Sequence, residues 1–191
     1  MKTIVFATNN VHKVKEIEQL LSGKFHIKNL SDIGCNAELP ETHLTIEENS
    51  NEKADYIYNC FKVNCFAEDT GLEIEALNGE PGVISARYAG EDKSAEKNMD
   101  KVLDKMKGIT NRKARFKTVI TLIWNGQPCQ FTGILEGEIA LERTGTNGFG
   151  YDPIFLVNGK SLAEMTLSEK SALSHRGKAT QLLIEHLNTI N

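Results

Sequence analysis

Two long β-type runs, Ala114–Trp124 and Cys129–Leu141, flank the dipeptide Asn125-Gly126. Asn-Gly supplies the two positive-φ positions of a type I′ turn, so these runs are predicted to fold as an antiparallel ribbon. A ribbon of that length does not belong to a purely parallel sheet. The N-terminus adds a second constraint. Lys2–Thr8 (KTIVFAT) is a short apolar run rich in β-formers and reads as a buried strand. Val11, Val14, Ile17, Leu20 and Leu21 follow at helical spacing, with Asn10 placed as N-cap and Gly23 as C-terminal stop. Phe25–Leu30 alternates as a second strand. Strand, helix, strand points to an α/β fold. With the ribbon, the expectation is a mixed sheet flanked by helices.

The rest of the chain is punctuated clearly. Thr45 and Glu48 have capping-box spacing ahead of a helix predicted over Ile46–Phe61. Asn49 and Lys53 are four apart and share a face of it. Cys65–Ala67 reads as a short strand running into Glu68-Asp69, with a turn at Gly71 and a separate strand over Leu72–Leu77. Asn78–Gly82 (NGEPG) is a turn cluster. Ser94 caps a third helix carrying Ala95, Met99, Val102, Leu103 and Met106. Gly145–Asp152 (GTNGFGYD) is a glycine-rich loop. A single last helix is predicted over Glu169–Leu187, with Ser168 as its cap.

Composition excludes several classes. The 191 residues make one domain, or two small lobes within it. Asp+Glu outnumber Lys+Arg, 26 to 22, so general binding to nucleic acid or an anionic membrane is not expected. No apolar run approaches the roughly 20 residues of a membrane span. The four cysteines form no CxxC pair, and MKTIVFATNN reads as a strand and not an export signal, so reduced thiols in the cytoplasm are expected.

Four segments offer chemistry. The polar turn Thr8-Asn9-Asn10-Val11-His12-Lys13, between strand and helix, gathers backbone N–H groups, a helix dipole and a lysine, which suits a phosphate chain. Glu68-Asp69, just outside an apolar strand, and Glu41 on a loop are carboxylates suited to a hard cation. If the strand continued, Glu68 and Asp69 would face opposite sides. Phe149-Gly150-Tyr151-Asp152 offers close backbone approach and a ring for a base to stack on. Lys170, Ser171, Ser174, His175 and Arg176 crowd donors near a helix start. Each segment alone is also explained without a ligand, by a helix cap, an acidic turn, a loop with one buried aromatic, and a polar helix face.

Taken in order, the segments resemble the inosine triphosphate pyrophosphatase family, also called XTP/dITP diphosphatases. The resemblance runs from TNNVHK (Thr8–Lys13) through ETHLTIEENSNEKA (Glu41–Ala54), AEDTGLEIEALNGEPGVISARYAG (Ala67–Gly90), GFGYDPIF (Gly148–Phe155) and SEKSALSHR (Ser168–Arg176) to SHRGKA (Ser174–Ala179). It implies an elongated α/β fold of two lobes with a mixed sheet and a central substrate cleft, and usually a homodimer. It implies Mg²⁺-dependent hydrolysis of ITP, dITP and XTP to the nucleoside monophosphate and pyrophosphate. Residue by residue, it assigns Thr8, Asn9, Asn10 and Lys13 to the triphosphate, and Asp69 to catalysis as base or metal ligand. Glu41 matches a second metal carboxylate. Glu68 stands where Asp is common and is a third candidate ligand. Lys53 and Thr70 match substrate-contacting positions. Phe149, Gly150, Tyr151, Asp152, Lys170, His175 and Arg176 match contacts to base and phosphate. Donors such as Arg176, His175 and backbone N–H groups are expected to donate to the purine six-carbonyl oxygen. Two other functions stay open: a pyrophosphatase for modified pyrimidine or guanine nucleotides, and a purine-nucleotide sensor without turnover.

Overall fold

The computed structural model describes residues 2–21 and 25–190. Gly23, the expected helix stop, lies outside them. The elements in chain order are β1 (Lys2–Ala7), α1 (Val11–Leu21), β2 (Phe25–Lys28), α2 (Ile46–Phe61), β3 (Cys65–Ile74), β4 (Pro81–Gly82), α3 (Ala95–Lys105), β5 (Lys113–Trp124), β6 (Gln127–Ile139), β7 (Phe155–Val157), β8 (Lys160–Ser161), α4 (Leu167–Leu173) and α5 (His175–Thr189). Among the described residues the strands form one open mixed sheet, in the order β2-β1-β3-β5-β6-β7-β8, with β4 on β3. The chain divides into two compact units. One is Met1–Asp69 with Thr118–Gly133 and Arg176–Asn191; the other is Thr70–Lys117 with Ile134–His175.

The first unit is an α/β layer. β1 lies between β2 and β3 and is parallel to both, with Phe6 opposite Phe66 and Ala7 opposite Ala67. Alternation along β1 and β3 sends side chains to two different cores. Ile4, Phe6 and Phe66 pack with Ile17 of α1 and Leu183 of α5. The Phe6 and Phe66 rings stack at 4.5 Å. Val5, Ala7, Cys65 and Ala67 pack instead with Ala54 and Ile57 of α2. Helices thus cover both faces, as parallel strands require. Each such large aliphatic side chain contributes about 1.5–3 kcal/mol. The thiols are free, and burial pushes that of Cys65 up to about 12.

The second unit packs α3 through Met99 and Val102, with Met106 just past its end, onto Leu72, Phe116 and Phe155. β6, β7 and β8 are successive antiparallel neighbours, with Ile139 opposite Phe155 and Leu156 opposite Ser161. Gly137 of β6 lies where a Cβ would strike the Leu156 carbonyl and the Phe155 ring. Asn125 and Gly126 take φ of 50° and 80°, the turn their sequence demands.

Two expectations are corrected. No turn occurs at Gly71: β3 runs unbroken from Cys65 to Ile74, and its later half pairs with β4 at Leu72 and Glu73. Gly71 is buried inside it, and the Leu72 N–H is satisfied by Ser85 Oγ at 2.9 Å. The last helix is two helices, not one. Ser174 is extended, at φ −68° and ψ 156°, and parts α4 from α5. Ser168 is not the cap. Thr166 is, its hydroxyl accepting from Glu169 N while Glu169 reaches back to Thr166 N at 2.7 Å. That capping box is four residues before the helix turn that holds Lys170, so Lys170 and His175 belong to different helices.

Candidate active site

In the first unit the site grows from the ends of β1 and β3. Beyond Ala7 the chain turns at Thr8, whose hydroxyl accepts from Asn10 N at 3.2 Å. Asn10 Oδ1 accepts from the N–H groups of His12 and Lys13, at 3.0 and 3.2 Å, and so caps α1 as its sequence predicts. Lys13 is thereby held in the first turn of α1, beside the carboxyl end of β1. Ligands of α/β sheets gather at this end of parallel strands.

Because β3 continues as a strand, Glu68 and Asp69 face opposite sides of it. Glu68 falls on the α1 and α5 side. Arg176 at the start of α5 grips it: Nε donates to both carboxylate oxygens, at 2.8 and 3.1 Å, and Nη2 to Oε1 at 2.9 Å. Nη1 of the same guanidinium donates to Glu16 Oε2 of α1 at 2.5 Å. Lys13 Nζ adds an ion pair to Glu68 Oε1 at 2.9 Å. Two carboxylates meet two cations here. Burial would raise the Glu68 carboxyl, but Arg176 and Lys13 overcome it and hold it far below the usual carboxylate range. Burial would likewise lower Arg176, and Glu68 and Glu16 hold it above its ordinary value.

Asp69 falls on the α2 side. Lys53 Nζ donates to Asp69 Oδ1 and to Glu41 Oε1, both at 2.8 Å. Here two carboxylates share one ammonium. The Lys53 ammonium loses solvation on burial, yet the two carboxylates raise it above its ordinary value. The Asp69 carboxyl is raised, because burial outweighs Lys53 and Lys13. The structure shows why: Asp69 Oδ2 is buried and has no hydrogen-bond partner. Glu41 is held in place by α2. Glu52 takes the Thr42 N–H at 2.9 Å and its hydroxyl at 2.8 Å, and Asn49 takes the His43 N–H at 2.9 Å.

This side fits a hard divalent cation. An orphaned buried carboxylate oxygen, a second carboxylate and one positive charge too few are what such an ion answers. Among the described residues no cluster of three or more His, Cys, Asp or Glu side chains has metal-holding geometry. Mg²⁺ does not need one, since it usually takes one or two protein carboxylates and oxygens of water or phosphate.

In the second unit, Asp152 and Lys170 form a buried ion pair at 2.7 Å, and Asp152 also accepts the Phe149 N–H at 2.8 Å. Lys170 Nζ stands 4.7 Å over the Phe149 ring. Gly150 takes φ 64° within this loop. His175 is buried and stacks on Phe116 at 4.6 Å. Thr70 is half-buried in β3.

Among the expected site residues, Arg176 is engaged by Glu68 and Glu16. Glu68, expected as a third metal ligand, has both oxygens on Arg176 and one also on Lys13. Tyr151, expected among the contacts to base and phosphate, has its ring in the core and its hydroxyl donating to the Ser85 carbonyl at 2.7 Å. Glu16, Asn49 and Glu52 were missed as positioning groups. For Asn49 a signal existed, its shared helix face with Lys53. For Glu16 none did, because its partner lies 160 residues away.

The family model described as the Ham1 family matches residues 4–186. A dITP/XTP pyrophosphatase of Christiangramia forsetii is 54% identical over 187 residues, covering 97% of this chain and 98% of that protein. One of Porphyromonas gingivalis is 45% identical over 98% of both. The structure of the Staphylococcus aureus Ham1 protein matches with a TM-score of 0.91 at 39% identity, over 100% of both chains. That of a HAM1 protein from Coxiella burnetii matches with 0.91 at 37%, over 99% of this chain and 100% of that one. On this sequence match, and on its shared fold, the chain belongs to the Ham1 family.

Proposed function

We propose that this protein is a nucleoside-triphosphate diphosphatase that hydrolyses the deaminated purine nucleotides ITP, dITP and XTP with Mg²⁺. The observation that carries this is Asp69: a buried carboxylate with an orphaned oxygen, two residues past the stretch of β3 that pairs parallel to β1, beside Glu41, Lys53 and Lys13. A pool-cleaning role, a cytoplasmic setting and a homodimer come with the proposal on the resemblance alone. Among the described residues no helix is long and apolar enough to cross a membrane.

Asp69 and Glu41 would hold the metal. When bound, Mg²⁺ supplies positive charge that draws electron density from the phosphoryl oxygens. Lys13 and the N-terminus of α1 orient the triphosphate, and Lys53 adds a second charge to it. Asp69, its carboxyl raised by burial, takes a proton from the attacking water. The water oxygen bonds to the α-phosphorus, the bond from that phosphorus to the bridging oxygen breaks, and pyrophosphate departs with the electron pair. On the resemblance, recognition of the six-carbonyl falls to donors such as Arg176, His175 and backbone N–H groups. A site built from donors rejects adenine, whose amino group would face them donor to donor. Incubation with ITP, ATP or GTP and Mg²⁺, with products resolved by chromatography, tests this. Inosine monophosphate and pyrophosphate from ITP, with ATP slower by about 100-fold or more, is expected. Equal rates refute the specificity, orthophosphate refutes the bond, and binding of all three without turnover favours a sensor.

A further inference from the structure

Lys53 stands where a metal would. Its ammonium donates to one oxygen each of Glu41 and Asp69 at 2.8 Å, and its side chain is only 6% exposed. A divalent ion on the same two oxygens would sit at about 2.0–2.1 Å from each. Ion and ammonium cannot both occupy that place. An ion on Asp69 Oδ2 alone would have a full positive charge beside it on Lys53. A neutral residue here would leave two carboxylates open to any passing cation.

We propose that Lys53 is a cation gate: it fills the metal position in the nucleotide-free protein, so that the divalent ion enters only with the triphosphate. This rests on the pyrophosphatase function proposed above. The phosphates give Lys53 a new anionic partner. On leaving Glu41 and Asp69 for a phosphate oxygen, it uncovers both carboxylates for the ion the nucleotide carries. Lys53 is thus assigned two successive partners, and the second is available only with substrate.

Mn²⁺ alone is the probe, with free ion followed by its electron paramagnetic resonance in the absence of nucleotide. Wild-type protein is expected to bind Mn²⁺ weakly. Lys53→Met and Lys53→Gln are expected to bind it about tenfold tighter or more, because removing the ammonium removes a buried like charge. Adding Asp69→Asn to either variant should abolish the gain. Circular dichroism melts identify the variants that fold. Equal Mn²⁺ affinity of wild type and a folded Lys53 variant overturns the gate. So does micromolar Mn²⁺ binding by wild type alone, whichever variants fold. ITP turnover by wild type is measured alongside. Turnover with no gain in the variants overturns the gate only, whereas no release of pyrophosphate from ITP overturns the function beneath it.

Discussion

Replacing Arg176 by Met should destabilise the protein strongly while keeping its volume. The variant leaves Glu68, whose side chain is 0% exposed, with Lys13 as its one cation, and takes from Glu16 its 2.5 Å partner. Removing one member of a buried, hydrogen-bonded charge cluster typically costs about 3–5 kcal/mol, because the other charges stay buried. With an unfolding slope in urea near the upper end for small domains, the midpoint should fall by about 1–2 M. Urea titration followed by circular dichroism, in EDTA, measures this. A second readout separates charge from packing. In wild type the lowered Glu68 carboxyl contributes stability that is present above its unfolded value and lost as pH falls below it. Without Arg176, burial is opposed by Lys13 alone, so the carboxyl is held down less and the variant has less stability to lose as Glu68 protonates. The gap between the two proteins should therefore narrow as pH falls through the carboxylate range. Adding Glu68→Gln and Glu16→Gln to the variant should recover much of the loss, since no carboxylate is then stranded. A midpoint shift below about 0.3 M at pH 7, or a gap that widens on acidification, would refute the assignment of Arg176 to this cluster.

Two further outcomes are expected. Asp69→Asn should lower kcat for ITP by about 10²–10⁴-fold with little change in melting temperature, since Asp69 is under-compensated in the fold; full activity would remove it from the mechanism. Gly137→Ala should cost about 1–3 kcal/mol by urea titration, because its Cβ meets backbone at Leu156 as well as the Phe155 ring; an unchanged midpoint would mean that β6 and β7 yield there.

What the sequence determined by itself is the chemistry of near neighbours. Asn10 caps α1 through N–H groups two and three residues on, Thr45 caps α2, and Asn125-Gly126 turns β5 into β6. Each depends on groups within a few residues, whose preferences the local sequence carries, and the order of motifs was enough to point to the family. Tertiary structure decided the rest. Gly71 reads locally as a turn, yet stays extended because β4 and Ser85 satisfy the backbone next to it. Ser174 lies inside a helical pattern, yet is extended between two helices. Glu68 and Asp69 are neighbours with opposite work, since an unbroken strand sends one to Arg176, 108 residues on, and the other to Lys53. A partner at that distance leaves no periodicity in the sequence, and only packing around both carboxylates decides which of them is neutralised and which is left one charge short.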